Sequence, residues 1–194
     1  MVRYDNFDEI LFYASGQVVP KQGKHVRSVC AAVLKTEEPS ETSYNLAFPV
    51  EKKGPDGESQ PRTALTAALR AVVAALELKI WRSEGCKQVT IATDNVTLFH
   101  GITKSMVKWM ALGWLGETSS HKPPSRELWR RAINLINEQA YHGCEVKFWL
   151  ITAEQNQHAA EVALTVAPGD PVSQNYQPCG NVGFTFKAAL EADE

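Results

Sequence analysis

The stretch RTALTAALRAVVAALELKIW, residues 62–81, constrains the fold of this chain more than any other. Leu65, Leu69, Val72, Leu76 and Ile80 recur at the spacing of one helical face, which predicts a helix over 63–81 whose apolar stripe must be covered by a sheet. Arg70, Glu77 and Lys79 interrupt the run, leaving it well short of the roughly 20 apolar residues that cross a bilayer. Three extended segments precede it: EILFYASGQVV (9–19), HVRSVCAAVLK (25–35) and SYNLAFPV (43–50). They are rich in aromatic and β-branched residues and broken by Gly, Pro, Glu and Lys, the pattern of a meander. A polar loop, EKKGPDGESQP (51–61), leads into the helix.

Beyond the helix, QVTIAT (88–93) reads as a short buried strand, and Asp94 or Asn95 is suited to cap the helix NVTLFHGI that follows. KSMVKWMALGWLG (104–116) is unusually apolar for a connection. After Pro123-Pro124, SRELWRRAINLINEQA repeats at helical spacing through Leu128, Ala132, Ile133, Leu135 and Ile136, and EVKFWLI (145–151) is a further strand. Thr152 with Gln155 matches a capping box opening a helix over EQNQHAAEVALTVA. The order β-β-β-α-β-α-α-β-α predicts an α/β domain over 1–167 with a mixed five-stranded sheet, an antiparallel meander joined by parallel strands through helical crossovers. The Pro- and Gly-rich remainder, 168–194, is expected as a tail, either partly disordered or packed on the domain, with a short strand near 182–187.

A formal charge of −2 exerts no global pull on a polyanion, so nucleic-acid binding would need a local basic patch. Cys30, Cys86, Cys144 and Cys179 lack the CxxC spacing of a zinc site and fit a reducing compartment. The first twenty residues carry Asp5, Asp8 and Glu9 and no apolar core of a secretory leader. The expectation is a cytoplasmic or nuclear protein without membrane contact.

Four strings in this order resemble ribonuclease H of type 1 across residues 9–166. FYASG is similar to the family's first strand, which ends in a threonine-aspartate-glycine turn, with Ala14 at the aspartate. ALRAVVAALE resembles the helix that carries the family's glutamate, with Ala68 at that position. VTIATDN matches the strand ending in the third carboxylate, Asp94, and VKFWLITAEQNQHAAEVA resembles the closing strand and a helix beginning E-x-N-x-x-A-D, with Ala160 at the aspartate. The resemblance implies an RNase H-like fold and, in the family, four carboxylates that hold two divalent ions about 4 Å apart. Here it implies a degenerate site: Ala14, Ala68 and Ala160 offer no side-chain oxygen, and only a vestigial Asp94 remains.

Nearby acids do not substitute. Glu77 lies nine residues past Ala68, roughly 13 Å along the helix and on its opposite face. Asp8 precedes Ala14 by six strand residues, roughly 20 Å away. Glu161 is turned about 100° from Ala160. Glu154 and His158, at the start of the last helix, remain for a candidate single-metal site with Asp94. Against it stand plainer roles: Asp94 as a helix cap, Glu154 in a first turn, His158 on a solvated face. The segments SGQVVPKQG and TALT lack the asparagines with which, by the resemblance, family members contact RNA 2′-hydroxyls.

In the segment equivalent to the family's basic protrusion, Met106, Trp109, Met110, Leu112, Trp114 and Leu115 stand with Lys104 and Lys108. They either pack inward or form an interface, since Met and Trp are enriched at interface cores. Arg126, Arg130 and Arg131 read as a solvated helix face or a second basic patch.

Two functions follow. One is a pseudonuclease, catalytically inactive and without cofactor, that binds a protein partner or a second copy and, more weakly, nucleic acid. The other is a hydrolase of RNA–DNA hybrids or another substrate, using Mg²⁺ or Mn²⁺ in a site rearranged around Asp94.

Overall fold

The computed structural model describes residues 8–20, 26–35, 45–114 and 123–181. Five strands form one mixed sheet: β1 (Glu9–Pro20), β2 (Val26–Leu34), β3 (Asn45–Pro49), β4 (Gln88–Thr93) and β5 (Glu145–Leu150). Their spatial order is β3-β2-β1-β4-β5. β1 runs antiparallel to β2, which runs antiparallel to β3, while β4 and β5 lie parallel on the other side of β1. The meander and the parallel additions are those expected from the order of elements.

Side chains alternate across this sheet, and each face builds its own core. Phe12, Ala14, Cys30, Ala32, Val89 and Ile91 pack with α1 (Ala64–Glu77) and α4 (Arg126–Tyr141). Val29, Ala31 and Val33 on the opposite face pack with Ala159, Val162 and Ala163 of α5 (Gln157–Leu164), joined by Tyr13. Tyr13 thus lies on the α5 side of β1, opposite to Ala14.

α1 departs from the expected helix in two ways. Every residue from Thr66 to Glu77 is buried, so it is enclosed on all sides, not on one stripe. Its outer side is covered by α4 and by residues 173–181. It also stops at Glu77 instead of reaching Trp81, because Gln139 of α4 intervenes: its amide Nε2 donates to the carbonyls of Leu76 (3.3 Å) and Lys79 (2.7 Å) and its Oε1 accepts from Trp81 N (3.0 Å). These bonds satisfy the end of the helix, and Ile80 falls outside it. At the other end Thr63 Oγ1 caps Thr66 N. A methyl group on Gly16 would overlap Ala68 N and Ala64 O, so glycine there sets the closeness of β1 to α1.

Charges buried against α1 are paired. Arg70 lies between the rings of Phe48 (4.7 Å) and Tyr176 (4.5 Å). It donates to Glu51 at 2.8–3.2 Å and to the Gln177 carbonyl at 2.7 Å. Glu77 accepts from Arg131 Nε (2.8 Å), Tyr176 Oη (2.6 Å) and Cys179 N (3.1 Å). Residues 168–181 therefore lie against the domain. Arg27 of β2 adds to this by donating to the carbonyls of Val166, Ala167, Pro168 and Asp170, where α5 ends. The expected strand near 182–187 lies outside the described residues.

The loop after β3 is equally ordered. The buried carboxylate of Glu127 accepts from Asp56 N (3.1 Å) and Glu58 N (2.9 Å). Arg126 pairs with Glu58, and Arg130 with Asp56 at 3.0 Å. The three arginines of α4 are thus engaged by Glu58, Asp56 and Glu77, not displayed as a free basic face. Cys30, Cys86, Cys144 and Cys179 are buried free thiols, and burial pushes each thiol up from its ordinary range. No helix among the described residues is long and apolar enough to cross a membrane.

Candidate functional site

Asp94 follows the last residue of β4, where a parallel strand delivers its C-terminal end to a turn. The turn leads into α2 (Val96–His100), and it is Asn95, not Asp94, that caps this helix: Asn95 Oδ1 accepts from Leu98 N at 2.9 Å. Thr93 Oγ1 in turn accepts from Asn95 N at 3.2 Å. The Asp94 carboxylate is left facing the start of α5.

There it meets Asn156. The side-chain amide Nδ2 donates to Asp94 Oδ1 at 2.7 Å and to the Ala14 carbonyl at 3.1 Å. Both partners are acceptors, which fixes the NH₂ side of the amide toward them. Asn156 is buried, and its Oδ1 has no hydrogen-bond partner among the described residues. Ala160 follows one helical turn later, its N–H bonded to the Asn156 carbonyl at 3.1 Å. Ala14 and Ala68 are fully buried in the same core cluster. The backbone thus brings β1, α1, β4 and α5 together at this place, but the side chains supplied are Ala14, Ala68, Asp94 and Ala160 with the amide of Asn156.

The remaining pieces of the candidate metal site are not gathered. Glu154 and His158 are exposed, and among the described residues no three His, Cys, Asp or Glu converge as a metal-ligand group. Glu154 is held below the ordinary carboxylate range by its own backbone N–H and by the Thr152 hydroxyl. Thr152 and Gln155 do form reciprocal bonds, Thr152 N to Gln155 Oε1 at 2.9 Å and Gln155 N to Thr152 Oγ1 at 3.4 Å. They close a separate turn, however, and α5 itself begins later, at Gln157. That turn keeps Glu154 in solvent while Asn156 reaches inward.

A pair of divalent ions of the kind the family carries does not suit this donor set. Hard cations require several anionic or carbonyl oxygens, whereas among the described residues one carboxylate stands here and one of its oxygens is occupied by an N–H donor. The asparagine was legible as a letter of the E-x-N string but not as the group that engages Asp94. Its signal lay in position alone: a short polar side chain just before a helix, aimed back at the sheet.

The protrusion divides. After a π-helical turn at Gly101–Ser105, α3 (Met106–Ala111) buries Met106 in the core. Trp109 is half-buried, its ring 5.3 Å from that of Trp129, and Trp114 also packs inward. Met106 is a correction to the candidate interface, for its side chain belongs to the domain's own core, while Trp109 and Trp114 pack against that core and stay partly exposed. Val107, Met110 and Leu112 are exposed, with Lys104 and Lys108. Leu115 lies outside the described residues.

Among solved structures, the chain is similar to a crystal structure of LC9-RNase H1, described as a type 1 RNase H with the type 2 active-site motif, at 20% identity over 86% of this chain and 75% of that one, TM-score 0.58. The solution structure of the PFV RNase H domain matches at 16% identity over 80% of this chain and 92% of that one, TM-score 0.54. The foamy viral protease-reverse transcriptase solved with RNA/DNA hybrid matches at 17% identity, covering 81% of this chain and 20% of that one, TM-score 0.55. The chain has a ribonuclease H-like fold. No family model and no curated protein matches it in sequence. In RNase H-like terms, β1, α1, β4 and α5 are the elements on which the resemblance places the family's four carboxylates, and Asn156 stands among them.

Proposed function

We propose that this chain is a catalytically inactive RNase H-like domain, a pseudonuclease that serves as a protein-interaction or weak nucleic-acid-binding module. The observation that carries the reading is the Asn156 amide donating to both Asp94 and the carbonyl of buried Ala14. An N–H donor placed against the single carboxylate opposes a cation where hydrolysis by this fold would need two. The exposed Val107, Met110 and Leu112 support a protein-binding role, since clustered apolar side chains at a surface are characteristic of contact sites. Structural similarity to a reverse transcriptase solved with RNA/DNA hybrid supports nucleic acid as the weaker ligand, through Lys104 and Lys108.

The test is cleavage. Purified protein incubated with a labelled RNA–DNA hybrid and millimolar Mg²⁺ or Mn²⁺ should leave the hybrid intact, and titration calorimetry with either ion should give no binding heat. Cleavage that disappears in Asp94→Asn would overturn the proposal in favour of a rearranged hydrolase.

A further inference from the structure

β5 forms one edge of the sheet and pairs only with β4 among the described residues. Glu145 N donates to Lys87 O and Ile151 N to Thr93 O. Odd-numbered residues thus turn their backbone groups to β4, and Val146, Phe148 and Leu150 turn theirs outward, toward nothing described. Edges of this kind are ordinarily shielded by charged side chains, lysine above all, by proline, bulges, inward charges or a covering element. β5 carries two charges, Glu145 and Lys147, but they pair with each other; it has no proline, forms an unbroken register with β4, and buries none of its residues fully. Lys147 and Trp149 share one face, each 50% exposed, and Lys147 pairs with Glu145 of its own strand at 3.3 Å.

We propose that β5 pairs antiparallel with β5 of a second copy, with Phe148 on the two-fold axis. Outward backbone groups must face one another, which places the axis at Val146, Lys147, Phe148 or Trp149. An axis at Lys147 sets Lys147 against its own copy, a repulsive pair. An axis at Val146 engages only part of the strand and drives its ends against the Gly143 turn that closes α4, and an axis at Trp149 likewise engages only part of it, setting Glu145 and Val146 opposite residues beyond the strand's end. An axis at Phe148 engages the whole strand. Phe148 then faces Phe148, Val146 faces Leu150, and Lys147 faces Trp149 twice, placing each ammonium beside an indole. This complementarity selects a second copy as the occupant. The interface is one strand wide, so the dimer is weak and forms with rising concentration. It is independent of whether the Asp94 region cleaves, because its readout is mass.

Lys147→Cys and Trp149→Cys, both at exposed positions, are purified separately and oxidised mildly, alone and mixed. Facing residues of a non-hydrogen-bonded antiparallel pair lie about 4.5 Å apart at Cα, within disulfide reach. The mixture should give covalent dimer and each variant alone should not. The native thiols are buried and do not contribute. In parallel, sedimentation of the unmodified chain should show mass rising with concentration, and Trp149→Lys should abolish the rise. Monomer at every concentration, crosslinking by Lys147→Cys alone, or no product from the mixture would overturn the proposal.

Discussion

At the scale of single residues, Asn156 decides what this region can do. Removing its side chain in Asn156→Ala leaves the Ala14 carbonyl without its partner, and an unsatisfied buried acceptor costs about 1–3 kcal/mol. Urea unfolding should report that loss. Asn156→Asp behaves differently, because a second carboxyl beside Asp94 raises the folded-state pKa of the pair. A raised carboxylate contributes its stability at low pH and loses it as pH climbs through the raised value. The deficit of Asn156→Asp should therefore be largest at neutral pH and shrink on acidification, while that of Asn156→Ala should not. The alanines at 14, 68 and 160 were legible from sequence, since absence of oxygen is a property of the residue. The role of Asn156 was not, since a hydrogen bond to a carbonyl 142 positions away depends on topology.

At the scale of elements, α1 teaches the same lesson in reverse. Its apolar face was plain from spacing, yet Arg70 and Glu77 registered only as interruptions of a hydrophobic run. In the folded chain they are the centre of a buried ionic network. Glu51→Ala leaves the Arg70 guanidinium facing Glu77 at 3.6 Å and little else ionic. Stranding a buried charge in this way costs about 3–5 kcal/mol, to be read as a lowered denaturation midpoint. Replacing Arg70 and Glu51 together by methionine should be milder, because no uncompensated charge remains. The helix end was equally hidden: spacing carries the period on to Ile80, and only the tertiary bonds of Gln139 bring it to a halt.

At the scale of the whole molecule, the order of elements was enough to fix sheet and helices, because three strands, a long apolar helix and two strand-helix units have few ways to bury their faces. The placement of residues 168–181 was not fixed, for their Pro- and Gly-rich composition has no period. Folding buries protonated groups throughout this assembly. Cys30, Cys86, Cys144 and Cys179 and the Tyr176 phenol are all pushed up, chiefly by burial. Unfolded, they ionise near pH about 8.5 and 10. Groups whose folded pKa is raised contribute fully below those values and progressively less above them. The urea midpoint should thus hold steady from neutral pH to about pH 8 and fall steeply by about pH 10.

Arg27 grips the carbonyls at the close of α5, and Asn156 anchors its opening to β1 and Asp94. A plank nailed at both ends cannot be lifted like a trapdoor. Whatever approaches this face of the sheet must settle for its rims, and the ground beneath that helix stays sealed.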